Sequence, residues 1–394
     1  MGQRGNAPQV RTDRGKMQVT WSKLTALVTA CASIVTAGCS TSNTAAPSAV
    51  PPPYNEAGSN SVGVTTLDLG SAGLTLGERR ATVYYPADPA AVSGHAPFTY
   101  TEASTLPVAL QGILPAKYNT TTTVNAYIKP PASKWGPYPV VLFSHGYGGE
   151  RLYYSNLLAG VASWGYVVVS ADYLERGLAA QALKLTVRPT SAQDAAIMRS
   201  SLVAVEQASG QPASPLYGVV DPKRVAAVGH SAGGGTAFNA LDAPSVKTAV
   251  GWAPVPPTGT PSSKPVMLIG TEGDSVVTPS TVTKAYDAFR GPKVLIEISG
   301  EGHNSYTDIC TGIRSGGGLI SYAVSAGFVQ AKLAKLGLNG CQPGNIDPVR
   351  FWPIVQYYTV LQLDNQLSPH PFGSVPAPEP NQFPGFTVTI TQTG

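Results

Sequence analysis

The sequence predicts an α/β fold in which helices cover both faces of a mostly parallel central sheet. Short, continuous apolar segments recur between residues 138 and 298, and segments with helical spacing lie between them. Strands that are apolar along their whole length are typical of a parallel sheet buried on both faces. Their alternation with helices favours one large α/β domain, which we expect to span residues 64–367.

The individual elements follow from apolar runs and from the residues that bound them. Strands are predicted at Ala81–Tyr85, Val124–Ile128, Tyr138–Phe143, Tyr166–Ser170, Val225–Val228, Val246–Trp252, Val266–Gly270 and Val294–Ile298. Helices are predicted at Leu152–Trp164, Ser191–Gln207 (with Ser191 as N-cap), Thr278–Phe289 and Phe351–Leu367. Residues 86–118 are ambiguous. The tail, residues 368–394, is Pro-rich and then strand-like at 386–390.

The N-terminal residues have the pattern of an export signal. Basic residues precede an apolar run from Leu24 to Gly38, which is shorter than the roughly 20 residues that span a bilayer. We therefore expect residues 1–38 to be a signal peptide, starting at Met1 or Met17, and the protein to be exported. Residues 39–63, rich in Ser, Ala and Pro, are expected to form a flexible tether.

The apolar run ends in Thr36-Ala37-Gly38-Cys39, which resembles a bacterial lipobox, although Thr36 stands where Leu is usual. Two outcomes remain open. Acylation of Cys39 would make a cell-envelope lipoprotein whose lipid anchor binds the membrane, whereas ordinary cleavage would release a secreted protein.

The other cysteines and the charges limit the partners to consider. Cys310 and Cys341 form an even pair in an oxidising compartment, which predicts one disulfide, with two buried thiols as the alternative. The histidines and cysteines lack ligand spacing, so we expect neither a metal nor another cofactor. The net charge of +4 lies in the signal region, and the neutral remainder predicts no nucleic-acid partner.

The strongest chemical signal is Gly229-His230-Ser231-Ala232-Gly233, which matches G-x-S-x-G. It directly follows a predicted strand and opens a Gly-rich helix. Such a strand-to-helix turn raises the serine hydroxyl above the carboxyl edge of the sheet, and the flanking glycines remove side chains that would collide there. Ser231 is therefore the candidate nucleophile.

A serine hydroxyl needs a base, and the base needs a carboxylate to orient it. His303 follows the last core strand in a Gly-flanked loop, which makes it a better candidate than the remaining histidines, His95, His145, His230 and His370. Asp274 follows the strand Val266–Gly270 and is the candidate acid, with Glu272 as its competitor.

Acyl transfer also needs backbone N–H groups that bind an oxyanion. One is expected from Ala232, the residue after the nucleophile. The other is expected from Tyr147, in the Gly-rich loop Ser144–Gly149 that follows the first central strand.

At these residues the sequence resembles serine α/β-hydrolases of the dienelactone-hydrolase, platelet-activating-factor acetylhydrolase and cutinase-like lipase groups. The matching blocks are VVLFSHGYGG at 140–149, VAAVGHSAGGG at 225–235, MLIGTEGDSVV at 267–277 and LIEISGEGHNS at 295–305. The resemblance implies an α/β-hydrolase fold, an oxyanion donor and aromatic wall at Tyr147, and a cleft aromatic at Trp252.

The same resemblance implies an exported serine carboxylic-ester hydrolase that acts through an acyl-enzyme on an ester of a lipid, a small acyl group or a polyester. Dienelactone hydrolases proper have cysteine at the position of Ser231, so their activity is not implied. The insertion between His303 and Phe351 holds both Cys310 and Cys341 and is a candidate cap over the site. Two other functions remain open: a non-catalytic lipoprotein that binds lipid or a partner on the same fold, and an acyltransferase.

Overall fold

Eleven strands form one mixed sheet in the part of the chain that the computed structural model describes, which is residues 51–70, 79–178, 180, 190–327, 335, 337–369, 371 and 373–393. The strands are β1 Ser61–Asp68, β2 Arg80–Ala87, β3 Pro97–Thr101, β4 Thr121–Ile128, β5 Tyr138–Ser144, β6 Val167–Ala171, β7 Val220–His230, β8 Val246–Trp252, β9 Val266–Thr271, β10 Lys293–Ile298 and β11 Val388–Thr393. The predicted signal peptide, Cys39 and His370 lie outside the described residues.

The strand order is β11-β10-β9-β8-β7-β5-β6-β2-β1-β4-β3. Every neighbouring pair from β10 to β6 is parallel, whereas β2 pairs antiparallel with β6 and β11 pairs antiparallel with β10. The carboxyl ends of the central parallel strands therefore meet at one edge of the sheet, which is where ligands bind in open α/β folds. The predicted α/β class is confirmed.

Seven α-helices lie among the described residues: α1 Ser155–Ser163, α2 Ser191–Ser209, α3 Ala232–Asn239, α4 Pro279–Ala288, α5 Ile309–Arg314, α6 Leu319–Ser325 and α7 Pro348–Leu367. The N-cap of α2 is Thr190 rather than Ser191. The Thr190 side chain accepts a hydrogen bond from Gln193 N, and the Gln193 side chain accepts one from Thr190 N, so a capping box one residue earlier begins the helix.

Successive residues of the central strands point to opposite faces and build two cores. Val141 and Phe143 of β5 pack in a core with α1 and α7, whereas Val140 and Leu142 of the same strand pack with α2, α3 and α4. Both faces of the sheet are thus covered by helices, and this explains why the central strands are apolar at every position.

Both ends of the described chain add to this unit. Tyr54, within the expected tether, is buried, and its hydroxyl donates a 2.5 Å hydrogen bond to Asp364. The strand-like part of the Pro-rich tail is β11, which pairs with β10 from Lys293–Thr393 to Ile298–Val388. No helix among the described residues is long and apolar enough to cross a membrane.

Candidate active site

Ser231 lies in a strained turn between β7 and α3. Its φ of 57° and ψ of −121° put a non-glycine residue in a region that side chains rarely adopt. The turn is so tight that a Cβ at Gly229 would lie 2.1 Å from the carbonyl oxygen of Gly233, and a Cβ at Gly233 would lie 1.9 Å from that of Ser144. Only glycine fits at both positions, which gives the G-x-S-x-G spacing its physical reason.

His303 and Asp274 are joined by a hydrogen bond in which His303 Nδ1 donates to Asp274 Oδ2 at 2.7 Å. The other carboxylate oxygen of Asp274 accepts from the backbone N–H groups of Val276 and Val277, both at 2.8 Å. Asp274 is buried, whereas its competitor Glu272 is exposed. The geometry thus brings Asp274, and not Glu272, to the imidazole, and it fixes the tautomer with the proton on Nδ1.

Ser231 and His303 line the same cavity at the carboxyl edge of the sheet. The hydrogen bonds of His303 involve its Nδ1, its backbone N–H and its carbonyl, so Nε2 has no hydrogen-bond partner among the described residues. The serine–imidazole bond is therefore open in this structure. Such bonds are often long in substrate-free hydrolases and tighten when the substrate binds.

The two expected oxyanion donors flank the serine. Ala232 is the first residue of α3, where a backbone N–H has no acceptor within the helix, and Tyr147 lies in the loop after β5. Neither N–H has a hydrogen-bond partner within the described part of the chain. Tyr147 lines the cavity, and its exposed side chain adjoins Ala232 across a shallow groove.

A buried arginine that the sequence did not single out holds the loop of Tyr147. Arg176 donates to Ser144 Oγ at 2.5 Å and to the carbonyl of His145 at 3.0 Å, and its own carbonyl accepts from Gly148 N at 2.7 Å. The guanidinium forms an ion pair with Asp194 of α2, so it ties the oxyanion loop to that helix. In the sequence, the signal for this contact was Asp194, an acidic residue in the first turn of a predicted helix.

His145 fixes the same loop from within. Its Nδ1 donates to the carbonyl of Gly146 at 2.8 Å, and its Nε2 accepts from Tyr173 N at 3.0 Å. Burial lowers the pKa of His145 to about 3, with the nearby Arg176 acting in the same direction. His145 is thus neutral, and both of its ring nitrogens are occupied.

A buried relay connects the oxyanion loop, the nucleophile turn and the base. The N–H of Gly146 donates to the Tyr154 hydroxyl at 3.3 Å, and that hydroxyl donates to His230 Nδ1 at 2.9 Å. His230 Nε2 then donates to the carbonyl of His303 at 2.9 Å. Burial lowers the pKa of His230 well below its usual value, so the ring stays neutral in this relay.

The insertion after His303 clamps the acid and base loops together through Asn339. Its side-chain oxygen accepts from His303 N at 2.7 Å and from Ser275 N at 3.2 Å, and its amide donates to the carbonyl of Gly273 at 3.1 Å. The predicted disulfide between Cys310 and Cys341 is present and anchors the chain two residues after Asn339. No motif marked Asn339 in the sequence.

The cavity that Ser231 and His303 line has a volume of about 200 Å³. The loop after β5 and the insertion supply most of its walls, and the insertion contributes Ile309, Ile313, Leu319 and Ile320. The predicted cap therefore covers the site with apolar side chains. One acid, Glu102, also lines the cavity, although the ambiguous stretch before β4 gave no reason to expect it there.

The structure corrects the expected role of Trp252, which does not line the cavity. The side chain is fully buried at the end of β8, donates to Thr359 Oγ1 of α7 at 2.9 Å, and stacks on Tyr306. Trp252 therefore belongs to the core beneath the site. His95 is also remote from the site, with its ring nitrogen bonded to the carbonyl of Ile128.

Comparisons with known proteins agree with this geometry. Residues 125–314 match the family described as PET hydrolase-like, a range that contains Ser231, Asp274 and His303. A comparison with curated proteins finds no match. Among 617 matching chains of solved structures is a ferulic acid esterase from Streptomyces cinnamoneus, with a TM-score of 0.58 and 19% identity, covering 83% of this chain and 95% of that one.

At 19% identity the structural match shows the fold, and the family match covers the candidate nucleophile, acid and base. Together they confirm the α/β-hydrolase fold and the resemblance to cutinase-like enzymes. The chain has the α/β-hydrolase fold, and its residues 125–314 resemble the PET hydrolase-like family.

Proposed function

We propose that the protein is an exported serine carboxylic-ester hydrolase that works through an acyl-enzyme on Ser231. The observation that carries the proposal is the convergence of three chain segments on one cavity: the strained Ser231 turn, the His303–Asp274 pair, and the unpaired N–H groups of Tyr147 and Ala232. A non-catalytic binding protein would not need a strained serine beside an oriented imidazole.

In the first half-reaction, Ser231 Oγ attacks the ester carbonyl carbon while His303 Nε2 takes the hydroxyl proton. Asp274 stabilises the resulting imidazolium and keeps its proton on Nδ1. The Tyr147 and Ala232 N–H groups donate to the oxyanion of the tetrahedral intermediate. His303 then gives its proton to the leaving alcohol, and the acyl group remains on Ser231.

In the second half-reaction, His303 Nε2 removes a proton from water, and the hydroxide attacks the acyl carbonyl. The same two N–H groups bind the second oxyanion. Collapse of this intermediate returns the proton from His303 to Ser231 Oγ and releases the carboxylic acid. Burial keeps the rings of His145 and His230 neutral, and their hydrogen bonds occupy the ring nitrogens, so neither competes with His303 as the base.

The size of the cavity favours esters with a compact acyl group. About 200 Å³ is below the roughly 300–1,000 Å³ of common small-molecule pockets. The PET hydrolase-like match and the ferulic acid esterase neighbour both carry names of ester hydrolases, and they support ester cleavage as the reaction class.

Replacing Ser231 by Ala tests the proposal. The S231A variant should fold with nearly unchanged thermal stability, because it keeps the turn and the backbone bonds around it, and it should lose hydrolysis of p-nitrophenyl butyrate. Ser275→Ala is the matched control, because Ser275 is an exposed serine in the acid loop, and this variant should keep its activity. Undiminished turnover by S231A would refute the proposal.

We also propose that the N-terminal residues direct export and that Cys39 is acylated. The basic residues, the apolar run and the small residues before Cys39 support this. Metabolic labelling with palmitate should label the protein expressed from the full sequence and should not label its Cys39→Ala variant. Release of both forms into the medium without label would refute acylation and leave simple secretion.

A further inference from the structure

Glu102 is a buried carboxyl group in the wall of the catalytic cavity, and the mechanism above does not use it. It is 4% exposed, and it lies on a short 3₁₀ turn, Glu102–Thr105, that follows β3. Burial of an acid among apolar side chains is costly unless its oxygens find partners. The position therefore calls for an explanation in terms of what the carboxyl contacts.

The protein supplies two hydrogen-bond donors to this carboxyl group. The Tyr153 hydroxyl donates to Glu102 Oε2 at 3.3 Å, and the backbone N–H of Leu319 donates from the insertion. A carboxylate can accept about four hydrogen bonds. Glu102 thus retains acceptor capacity, and its Oε1 lies beside Gly312 and Gly318, 3.5 and 3.8 Å from where their Cβ atoms would be.

Apart from Asn304 and Thr307, the part of the cavity wall that the insertion contributes is apolar. Ile309, Ile313, Leu319 and Ile320 line the same space, and Tyr153 provides the other polar group beside the carboxyl. A largely apolar pocket with a few fixed polar groups is the arrangement that sets ligand orientation and specificity. A ligand atom that replaces water at Glu102 must offer a hydrogen-bond donor, or the carboxylate loses a partner.

We infer that Glu102 is a specificity-determining residue that favours acyl groups with a hydroxyl at the end remote from the ester. This inference rests on the proposed ester hydrolysis, since it places the ester carbonyl at Ser231 and the acyl group in the cavity. The hydroxyl donates to the Glu102 carboxylate, while the apolar walls contact the rest of the acyl group. An acyl group of the same size without the hydroxyl excludes water from the carboxylate but donates no hydrogen bond in its place.

The test compares matched methyl esters that differ in one hydroxyl: 3-(4-hydroxyphenyl)propionate against 3-phenylpropionate, and 6-hydroxyhexanoate against hexanoate. In at least one of the two pairs, the hydroxylated ester should have a kcat/KM about tenfold or more above that of its unsubstituted partner, because it makes a hydrogen bond to a charged group. Glu102→Gln should reduce this ratio, and Glu102→Met should bring it to about one, while the unsubstituted ester is hydrolysed at least as well as by the wild type.

Asp308→Asn is the matched control. Asp308 is a second buried carboxyl near the site, bonded to the Tyr100 hydroxyl and to Asn156 N, but it does not line the cavity. Its replacement should leave the substrate ratio unchanged. If D308N changes the ratio as much as E102Q does, the effect is structural and the inference is wrong.

The pH dependence of the ratio gives a second readout. Both esters of a pair react with the same Ser231 and His303, so a pH effect on that shared chemistry cancels in the ratio. Burial raises the pKa of Glu102 to about 7, and the groups around it are Tyr153, Tyr100 and Glu150. The preference should increase as the pH rises through about 7 in the wild type and should be flat in E102Q.

The outcomes separate the two proposals. A kcat/KM ratio near one for both pairs in the wild type, with hydrolysis still dependent on Ser231, would refute the role of Glu102 but not the proposed function. A preference that persists in E102Q and E102M would also overturn it, because Glu102 would then be only a support for α6. Hydrolysis that survives Ser231→Ala would instead overturn the proposed function.

Discussion

Asp274→Asn isolates the role of the acid, because an amide can keep the backbone contacts of the carboxylate but not its contact with the imidazole. Asp274 Oδ1 accepts from two backbone N–H groups, whereas Oδ2 accepts from His303 Nδ1. The amide oxygen of the introduced asparagine must face the two N–H donors, and its NH₂ group then faces Nδ1. Imidazole therefore takes the other tautomer, with the proton on Nε2, and it can no longer accept the Ser231 proton.

The expected loss is large in rate and small in stability. A wrong tautomer in a triad of this kind lowers kcat by about 10⁴-fold, which corresponds to about 5.5 kcal/mol of transition-state stabilisation. The free energy of unfolding should change by only about 1 kcal/mol, because the backbone donors keep an acceptor. Steady-state hydrolysis of p-nitrophenyl butyrate and urea denaturation measure the two quantities.

Glu272→Gln is the control, because Glu272 occupies the same loop and is exposed. It should change kcat by less than about twofold, as surface substitutions usually do. A D274N variant within tenfold of the wild-type kcat, or an E272Q variant that is the more damaging of the two, would refute the assignment of the acid.

Three further predictions concern the support of the site. Tyr154→Phe removes the hydroxyl that joins the oxyanion loop to His230, so we expect a loss of about 2 kcal/mol in urea denaturation and a fall in kcat with little change in KM. Asn339→Ala releases the loops that carry the acid and the base, so kcat should fall by about tenfold, with the disulfide still formed. Burial raises the pKa values of Glu102 and Asp308 to about 7, so the folded state keeps protons that the unfolded chain has lost between about pH 4 and 7. The free energy of unfolding should therefore fall as pH rises through this window, by about 1.4 kcal/mol per unit for each carboxyl, and it should do so less steeply in E102Q and D308N.

Each of these predictions has a result that contradicts it. Full activity and stability in Y154F would show that the relay has no effect on the oxyanion loop. A larger effect of N339A on KM than on kcat would place Asn339 in substrate binding rather than in positioning. Stability that rises between pH 4.5 and 7, with equal slopes in the wild type and both variants, would mean that neither carboxyl holds its proton in the folded state.

The sequence predicted most of the fold because the buried strands are apolar on both faces. Strands such as Val246–Trp252 have the predicted bounds, since turn residues end the apolar run on both sides. β1 and β3 were not predicted. β3 is the edge strand, where polar residues such as Thr99 alternate with apolar ones, and β1 is a short segment with Ser and Thr among its apolar residues. Their pairing depends on neighbours that are distant in the chain.

The site residues, too, could be predicted only where they depend on the central strands. Ser231, Asp274 and His303 could be proposed because each follows a strand of the central sheet, and the carboxyl ends of those strands meet at one edge. Arg176 and Asn339 could not, because their roles depend on loops that contact each other only in three dimensions. Trp252 was misplaced for a related reason: a residue at a strand end can point into the core below the site as well as into the site.

The most direct test of the central claim is to trap the acyl-enzyme or its analogue and find the modified atom. The protein is incubated with a p-nitrophenyl alkylphosphonate, digested, and sequenced by mass spectrometry. The account predicts one phosphonyl group per chain, on the peptide that contains Ser231, with loss of esterase activity in proportion to labelling. Complete inactivation with the label on another residue, or ester hydrolysis that continues after Ser231 is fully labelled, would contradict it.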